Sequence, residues 1–163
     1  MRDWLLPAVV GVELASGAAV GERLAHFKGN RFAKAAVDEL WWSMEATQQG
    51  VPLARLLGAE SDSVEVGADF GVMDSLGELL ASIGQAVEAG YRRIKLKFRP
   101  GWDVEMLRAV RGEFPSETIH IDCNGGFTLD DTDLFCRLDD FMLAMIEQPL
   151  TAGDLVDHAA LAE

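Results

Sequence analysis

Residues 92–98 of the chain read RRIKLKF, residues 118–123 read TIHIDC, and residues 142–147 read MLAMIE. Each run is short and β-prone, which is typical of a strand buried in a sheet. A fourth run of the same kind, VEVGADF, occupies residues 64–70. These four segments are predicted to form strands.

Helical patterns separate the four runs. They cover residues 75–89, 103–113 and 130–139, and a further helix is predicted to begin near Asp154. Strand and helix in alternation are the signature of parallel βα units. Suitable capping residues lie near these boundaries, three at helix starts and one at a helix end: Ser75, Asp103, Asp130 and Gly90.

Four βα units fit either an open doubly wound sheet or half of a (βα)8 barrel, and counting them does not decide between the two. A complete barrel has eight strands and about 250 residues. On the barrel interpretation, these 163 residues therefore reach only the midpoint. In both cases the fold class is α/β.

The first part of the chain, up to Gly58, is predicted to be helical. An apolar stripe with three- and four-residue spacing runs through it: Ala33, Ala36, Val37, Leu40, Trp41 and Met44. This spacing is typical of one face of an amphipathic helix. We expect the stripe to lie in the core of a small all-helical unit.

The composition excludes several classes of partner. The 163 residues carry a formal net charge of -13, with 27 acidic and 14 basic residues, which argues against a nucleic acid or an anionic membrane as a partner. There is no apolar run of the roughly 18 residues that a membrane span needs. Cys123 and Cys136 are too few for a disulfide framework. A cytoplasmic location fits these features.

Two lysines share one face of the second predicted strand. Lys95 and Lys97 alternate with apolar neighbours, which places their Cα atoms about 6–7 Å apart on the same side. The pair forms either a solvated basic edge or part of a reactive site. In a reactive site, mutual repulsion and burial are expected to lower the pKa of at least one lysine, which would then act as a base near neutral pH.

Two carboxylates end the next two strands. Asp122 closes residues 119–122 and Glu147 closes residues 143–147. Parallel α/β folds place their sites at this carboxyl end of the strands. Carboxylate oxygens that meet there suit Mg²⁺, which binds a few protein carboxylates and keeps several waters.

Three motifs, in this order and spacing, resemble the enolase superfamily, and within it the o-succinylbenzoate synthase and N-acylamino acid racemase group. They are IKLKFRPGWD at 94–103, IDCN at 121–124 and IEQPL at 146–150. The resemblance implies a partial (βα)8 TIM-like barrel of about four βα units, preceded by the helical part of a capping domain. The implied domains are residues 1–60 and 61–163.

The resemblance also implies a magnesium-dependent enzyme that removes a proton α to the carboxylate of a small substrate. Asp122 and Glu147 would hold the metal, and Lys97 would transfer the proton. Lys95 would be its electrostatic neighbour near the substrate carboxylate, and Asn124 would add a polar contact to the substrate.

Two reactions of the group stay open. Dehydration, which forms o-succinylbenzoate in menaquinone synthesis, needs one lysine on one face of the substrate and is the first expectation. Racemisation of N-acylamino acids needs bases on both faces. Family members continue to a third metal carboxylate and an opposing lysine, so we expect the chain by itself to be inactive.

An alternative of a different class is a non-catalytic half-barrel that self-assembles. Its strand edges and an apolar interior face would then be uncovered, which is a liability unless another chain covers them. On either interpretation the expected partner is a second copy of this chain or the remainder of a longer one.

Overall fold

The structure of the protein is a computed structural model that describes residues 2–162. It contains two compact units, the first ending at Val64 and the second beginning at Glu65. None of the helices formed by the described residues combines the length and the apolar character needed to cross a membrane.

The first unit is all-helical, as the sequence predicts. Its helices are α1 (Leu5–Val9), α2 (Gly17–Leu24), α3 (Arg31–Gln49) and α4 (Leu53–Leu56). The side chain of Ser16 caps α2 by accepting a hydrogen bond from the Ala19 N–H at 3.2 Å. Gly50 ends α3 in the left-handed conformation, with φ 68°, which glycine adopts without steric cost.

The apolar stripe on α3 is only partly buried. Val37 joins Leu5, Val20 and Leu24 in the core of the first unit, but Leu40 is 52% exposed and Met44 is 63% exposed. The prediction that the whole stripe is core is therefore wrong. The other residues of this unit cover only part of the apolar face of α3.

The second unit contains the predicted parallel βα units. Its strands are β1 (Ala68–Phe70), β2 (Arg93–Lys97), β3 (Thr118–Asp122) and β4 (Met145–Glu147), and its helices are α5 (Leu76–Glu88), α6 (Val104–Glu113), α7 (Thr132–Cys136) and α8 (Leu155–Leu161). All neighbouring strands pair in parallel, in the order β1-β2-β3-β4.

Some element boundaries differ from the prediction. β1 is confined to the last three residues of the predicted 64–70 strand. The predicted 130–139 helix is a short α7 between two 3₁₀ turns, Leu129–Asp131 and Asp139–Phe141. Thr128, not Asp130, caps the first turn, in a reciprocal capping box with Asp131.

One face of the sheet forms the core of the second unit. Ile94, Leu96, Ile119 and Ile121 are fully or almost fully buried, in one apolar cluster with the side chains of α5 and α6. Because side chains alternate along a strand, the opposite face carries the charged residues: Arg93, Lys95, Lys97, His120, Asp122 and Glu147. The prediction of an uncovered apolar interior therefore does not hold for most of this face, whose apolar exception is Met145 of β4, 48% exposed.

A matched pair of leucines tests this core. Leu107 on α6 is completely buried, whereas Leu155 at the start of α8 is 80% exposed. We expect Leu107→Ala to lower the free energy of unfolding by about 2–5 kcal/mol, because the cavity cannot fully collapse. Leu155→Ala should change it by less than about 0.5 kcal/mol. Urea unfolding followed by circular dichroism measures both, and equal effects would contradict the assignment of the core.

Candidate active site

The predicted site residues lie side by side at the carboxyl ends of three adjacent strands. Lys97 of β2 pairs in register with Asp122 of β3, and Asp122 pairs in register with Glu147 of β4. Lys95 lies one pleat below on the same face as Lys97. The structure therefore brings together the two lysines and the two carboxylates.

Asp122 is the centre of this group. Its side chain is only 2% exposed, and its Oδ2 atom accepts hydrogen bonds from Lys97 Nζ at 2.8 Å and from Lys95 Nζ at 2.9 Å. The Asn124 N–H donates to the other oxygen, Oδ1, at 2.9 Å. Both oxygens of the buried carboxylate are thus satisfied, as a buried charge requires.

These contacts decide the charge of Asp122. Burial by itself raises the pKa of a carboxyl group. The hydrogen bonds from Lys97, Lys95 and the Asn124 N–H outweigh burial and lower the pKa of Asp122 from 3.8 to about 2. Asp122 is therefore ionised throughout the neutral range.

Lys95 bridges the two carboxylates. Its Nζ atom lies 2.7 Å from Glu147 Oε2 and 2.9 Å from Asp122 Oδ2. The hydrogen bonds to Glu147 and then to Asp122 raise the pKa of Lys95 well above its ordinary value. For Lys95, the predicted lowering of the pKa by repulsion and burial is wrong, because two carboxylates contact the ammonium and stabilise its charge.

Asn124 connects the lysines to the loops that follow β3 and β4. Its Oδ1 atom accepts a hydrogen bond from Lys97 Nζ at 3.1 Å, and its Nδ2 group donates to Gln148 Oε1 at 3.3 Å. Asn124 has a φ of 50°, a left-handed conformation that asparagine tolerates better than most residues. The contact to Gln148 was not predicted, although the residue directly follows Glu147 in its motif.

The backbone holds these two loops together beyond the ends of the strands. The N–H groups of Cys123, Gly125 and Phe127 donate to the carbonyls of Glu147, Gln148 and Pro149, at 2.9, 2.7 and 3.3 Å. Gly125 has a φ of 70°, and a Cβ there would lie 3.2 Å from the Leu150 carbonyl oxygen. The glycine therefore allows both the turn and the close approach of the two loops.

His120 and Cys123 flank the site without joining the hydrogen-bonded group. His120 Nε2 is 3.9 Å from Glu147 Oε2, which is too long for a hydrogen bond. Burial and then the charge of Lys95 lower the pKa of His120, so its imidazole is neutral at pH 7. Burial raises the pKa of the Cys123 thiol to about 12, so that this side chain is a packed, protonated thiol.

The donor set fits the magnesium ion that the sequence implies. Within residues 2–162 there is no group of three or more His, Cys, Asp or Glu side chains that could hold a metal ion. Asp122 and Glu147 supply two carboxylates, and Mg²⁺ is commonly held by one or two carboxylates together with waters. The Lys95 ammonium contacts one oxygen of each carboxylate, so the two carboxylates face the same small region.

Comparison with known proteins identifies the family. The model of the family described as "Enolase C-terminal domain-like" matches residues 78–163. The chain belongs to this family and thus to the enolase superfamily, and the predicted α/β fold with a partial barrel is confirmed.

Individual relatives give a more specific similarity than the family model. The chain is 42% identical over 161 residues to an o-succinylbenzoate synthase of Geobacillus kaustophilus, a match that covers 99% of this chain and 43% of the relative. It is also 42% identical over 161 residues to an N-succinylamino acid racemase of Thermus thermophilus, covering 44% of that protein. The chain therefore spans less than half the length of these relatives.

Comparison with a solved structure also points to the enolase superfamily. The crystal structure of an enolase-superfamily member from Listeria innocua superposes with a TM-score of 0.82 at 35% identity. The match covers 98% of this chain and 43% of that one.

The lowered pKa of Asp122 predicts a specific acid sensitivity. A group whose pKa is lowered on folding stabilises the protein above its unfolded pKa, and this contribution is lost as the pH falls towards the folded pKa. We expect unfolding stability to decline from about pH 4 to pH 2. Asp122→Asn should lower the free energy of unfolding at pH 7 by about 3 kcal/mol, because it leaves the Lys97 ammonium without a carboxylate partner, and should flatten the acid decline.

Asp140→Asn, a change at an exposed carboxylate, is the control for this experiment. Thermal unfolding followed by circular dichroism at a series of pH values measures all three proteins. If Asp122→Asn and Asp140→Asn gave the same pH profile, the ion pairs of Asp122 would not contribute to stability as described.

Proposed function

We propose that these residues form part of a magnesium-dependent enzyme that removes a proton α to a carboxylate, with dehydration to o-succinylbenzoate as its reaction. The observation that supports this proposal is the convergence of two ammonium groups on the Asp122 carboxylate, with Glu147 alongside. Such an arrangement supplies a base, a fixed positive charge and oxygen ligands within one small volume.

Lys97 is the proposed proton-transfer residue. Its Nζ atom is held at 2.8 Å from Asp122 and 3.1 Å from Asn124, and these two contacts fix the position of the amine. In its neutral form, Lys97 takes the proton from the substrate α-carbon, and the C–H electron pair moves towards the substrate carboxylate. Side chains that fix the base in this way raise the effective concentration of the reacting groups.

Lys95 is proposed to contact the substrate carboxylate. Its raised pKa keeps it protonated, so it provides a permanent positive charge one pleat from Lys97. Asp122 and Glu147 would hold Mg²⁺, which when bound would neutralise the negative charge that develops on the substrate carboxylate as the α-proton leaves.

In the dehydration, one lysine completes both proton transfers. Lys97 takes the α-proton as a base and, as the C–O bond breaks, returns a proton to the departing hydroxyl, which leaves as water. Base and acid work on the same face, so no opposing group is required. The relatives named as o-succinylbenzoate synthases, 42% and 41% identical in Geobacillus kaustophilus and Bacillus subtilis, support this reaction.

Racemisation of an N-succinylamino acid is the second proposed function. The relatives from Thermus thermophilus and an Amycolatopsis species are named N-succinylamino acid racemases, and both are 42% identical to this chain. Here Lys97 would exchange the α-proton on one face of the substrate, and a second base on the opposite face would complete inversion.

A lysine variant tests the proposed proton transfer. The product of the complete reading frame that contains these 163 residues is incubated in D₂O with Mg²⁺ and an N-succinylamino acid, and deuterium at the α-carbon is followed by proton NMR. Lys97→Ala should slow the exchange by at least about 100-fold, the usual contribution of a general base. Exposed Lys28→Ala is the matched control and should exchange at the wild-type rate.

Two further assays on the same proteins distinguish the two proposed reactions. A synthase forms o-succinylbenzoate from its hydroxylated precursor, which ultraviolet absorbance detects, whereas a racemase inverts an optically pure N-succinylamino acid. Wild-type rates for Lys97→Ala in both assays would contradict the proposed role of this residue.

A further inference from the structure

Each of the two loops at the site contains a non-glycine residue in the left-handed conformation. Asn124, after β3, has a φ of 50°, and Gln148, after β4, has a φ of 47°. Asparagine tolerates this region, whereas a glutamine with a positive φ is uncommon and carries a steric cost. Backbone outliers of this kind are concentrated at functional sites. The conformation of Gln148 therefore needs a specific cause.

The backbone pairing of the two loops does not explain why this residue is a glutamine. The Gln148 carbonyl accepts a hydrogen bond from the Gly125 N–H at 2.7 Å, and a glycine at position 148 would form the same contact without the steric cost. The side-chain contact between Gln148 and Asn124 adds little stability, because both residues are exposed and their hydrogen bond replaces contacts with water. What the strained conformation retains is the position of the Gln148 side chain.

That side chain ends a directed series of hydrogen bonds that begins at Lys97. Lys97 Nζ donates to Asn124 Oδ1 at 3.1 Å, and Asn124 Nδ2 donates to Gln148 Oε1 at 3.3 Å. An ammonium group is only a donor, so the Asn124 amide turns its oxygen to Lys97 and its amino group to Gln148. The Gln148 oxygen thereby holds the rotation of the Asn124 amide.

This rotation matters most when Lys97 is neutral and acts as a base. A neutral amine has two N–H bonds and one lone pair. Asp122 Oδ2, at 2.8 Å, and Asn124 Oδ1 accept the two N–H bonds, which leaves the lone pair for the α-proton of the substrate. A reversed Asn124 amide would donate its amino group to that lone pair. Once the ammonium has lost its proton, the Gln148 oxygen still opposes the reversal.

We propose that Gln148 is a positioning residue that acts on the proton transfer through Asn124. Its side-chain oxygen keeps the Asn124 amide in the orientation that leaves the lone pair of Lys97 free for the substrate. Its left-handed backbone places that oxygen within reach of Asn124. This inference rests on the proposed function, because it takes Lys97 as the base.

Three substitutions in the product of the complete reading frame separate the side-chain oxygen from the backbone conformation. Gln148→Met keeps the length and removes the acceptor, Gln148→Glu keeps an acceptor oxygen, and Gln148→Gly removes both the side chain and the steric cost. The rate of α-proton exchange in D₂O, or of o-succinylbenzoate formation, is measured with Mg²⁺ over a range of substrate concentrations. Thermal unfolding of each variant is followed by circular dichroism.

The acceptor should determine the rate, and the backbone should determine the stability. We expect Gln148→Met and Gln148→Gly to lower kcat about tenfold, with KM within about twofold of the wild type because substrate binding is not altered. Gln148→Glu should recover most of the rate. Gln148→Gly should unfold at or above the wild-type temperature, whereas a purely structural role predicts a lower one.

Met142→Gly is the matched control. Met142 has a φ of 48° and is 73% exposed, and it precedes β4, at the end of the strand opposite to the site. The change also removes a side chain from a left-handed residue, and it should leave kcat and KM at their wild-type values. A loss of rate in Met142→Gly equal to that in Gln148→Gly would overturn the inference.

Lys97→Ala distinguishes failure of this inference from failure of the proposed function. If Lys97→Ala is slow while Gln148→Met has the wild-type kcat, the base stands and the positioning role of Gln148 is wrong. Equal losses in Gln148→Met and Gln148→Glu would also contradict that role, because the acceptor oxygen would then not matter. If Lys97→Ala reacts at the wild-type rate, the proposed function itself is wrong.

Discussion

Burial of the Asp122 carboxylate between two ammonium groups is the interaction on which the site depends. A carboxylate that is almost completely excluded from solvent is tolerated only when its charge is compensated and its oxygens accept hydrogen bonds. Lys95, Lys97 and the Asn124 N–H meet these requirements. Asp122 in turn fixes the positions of these groups. Its carboxylate thereby connects β2, β3 and the loop that follows β3.

The sheet makes this arrangement possible because its two faces have different roles. Ile94, Leu96 and Ile121 alternate with the site residues and anchor their strands in the core of the second unit. The charged face is thereby held on a rigid support, and neighbouring residues in register approach each other across the strands. Beyond the strand ends, the three backbone hydrogen bonds between the two loops extend the same pairing to Asn124 and Gln148.

The sequence predicts the positions of the site residues well because period-two alternation and strand ends are local properties. Lys95 and Lys97 were expected to share a face and Asp122 and Glu147 to end consecutive strands, which the structure places next to each other. The direction of the pKa shift of Lys95 was not predictable, because it depends on a 2.7 Å contact with a residue more than fifty positions away. The exposure of Leu40 and Met44 likewise depends on which neighbours cover α3, and periodicity does not carry that information.

The ionisation of Asp122 provides the most direct measurement. With ¹³C-labelled aspartate, the side-chain carboxyl resonance of Asp122 is followed by NMR as the pH is lowered in the metal-free protein. A titration midpoint at about 2 is expected from its hydrogen bonds to Lys97, Lys95 and Asn124. A midpoint at or above 3.8, the ordinary value, would show that burial dominates and that the two lysines do not hold this carboxylate as described.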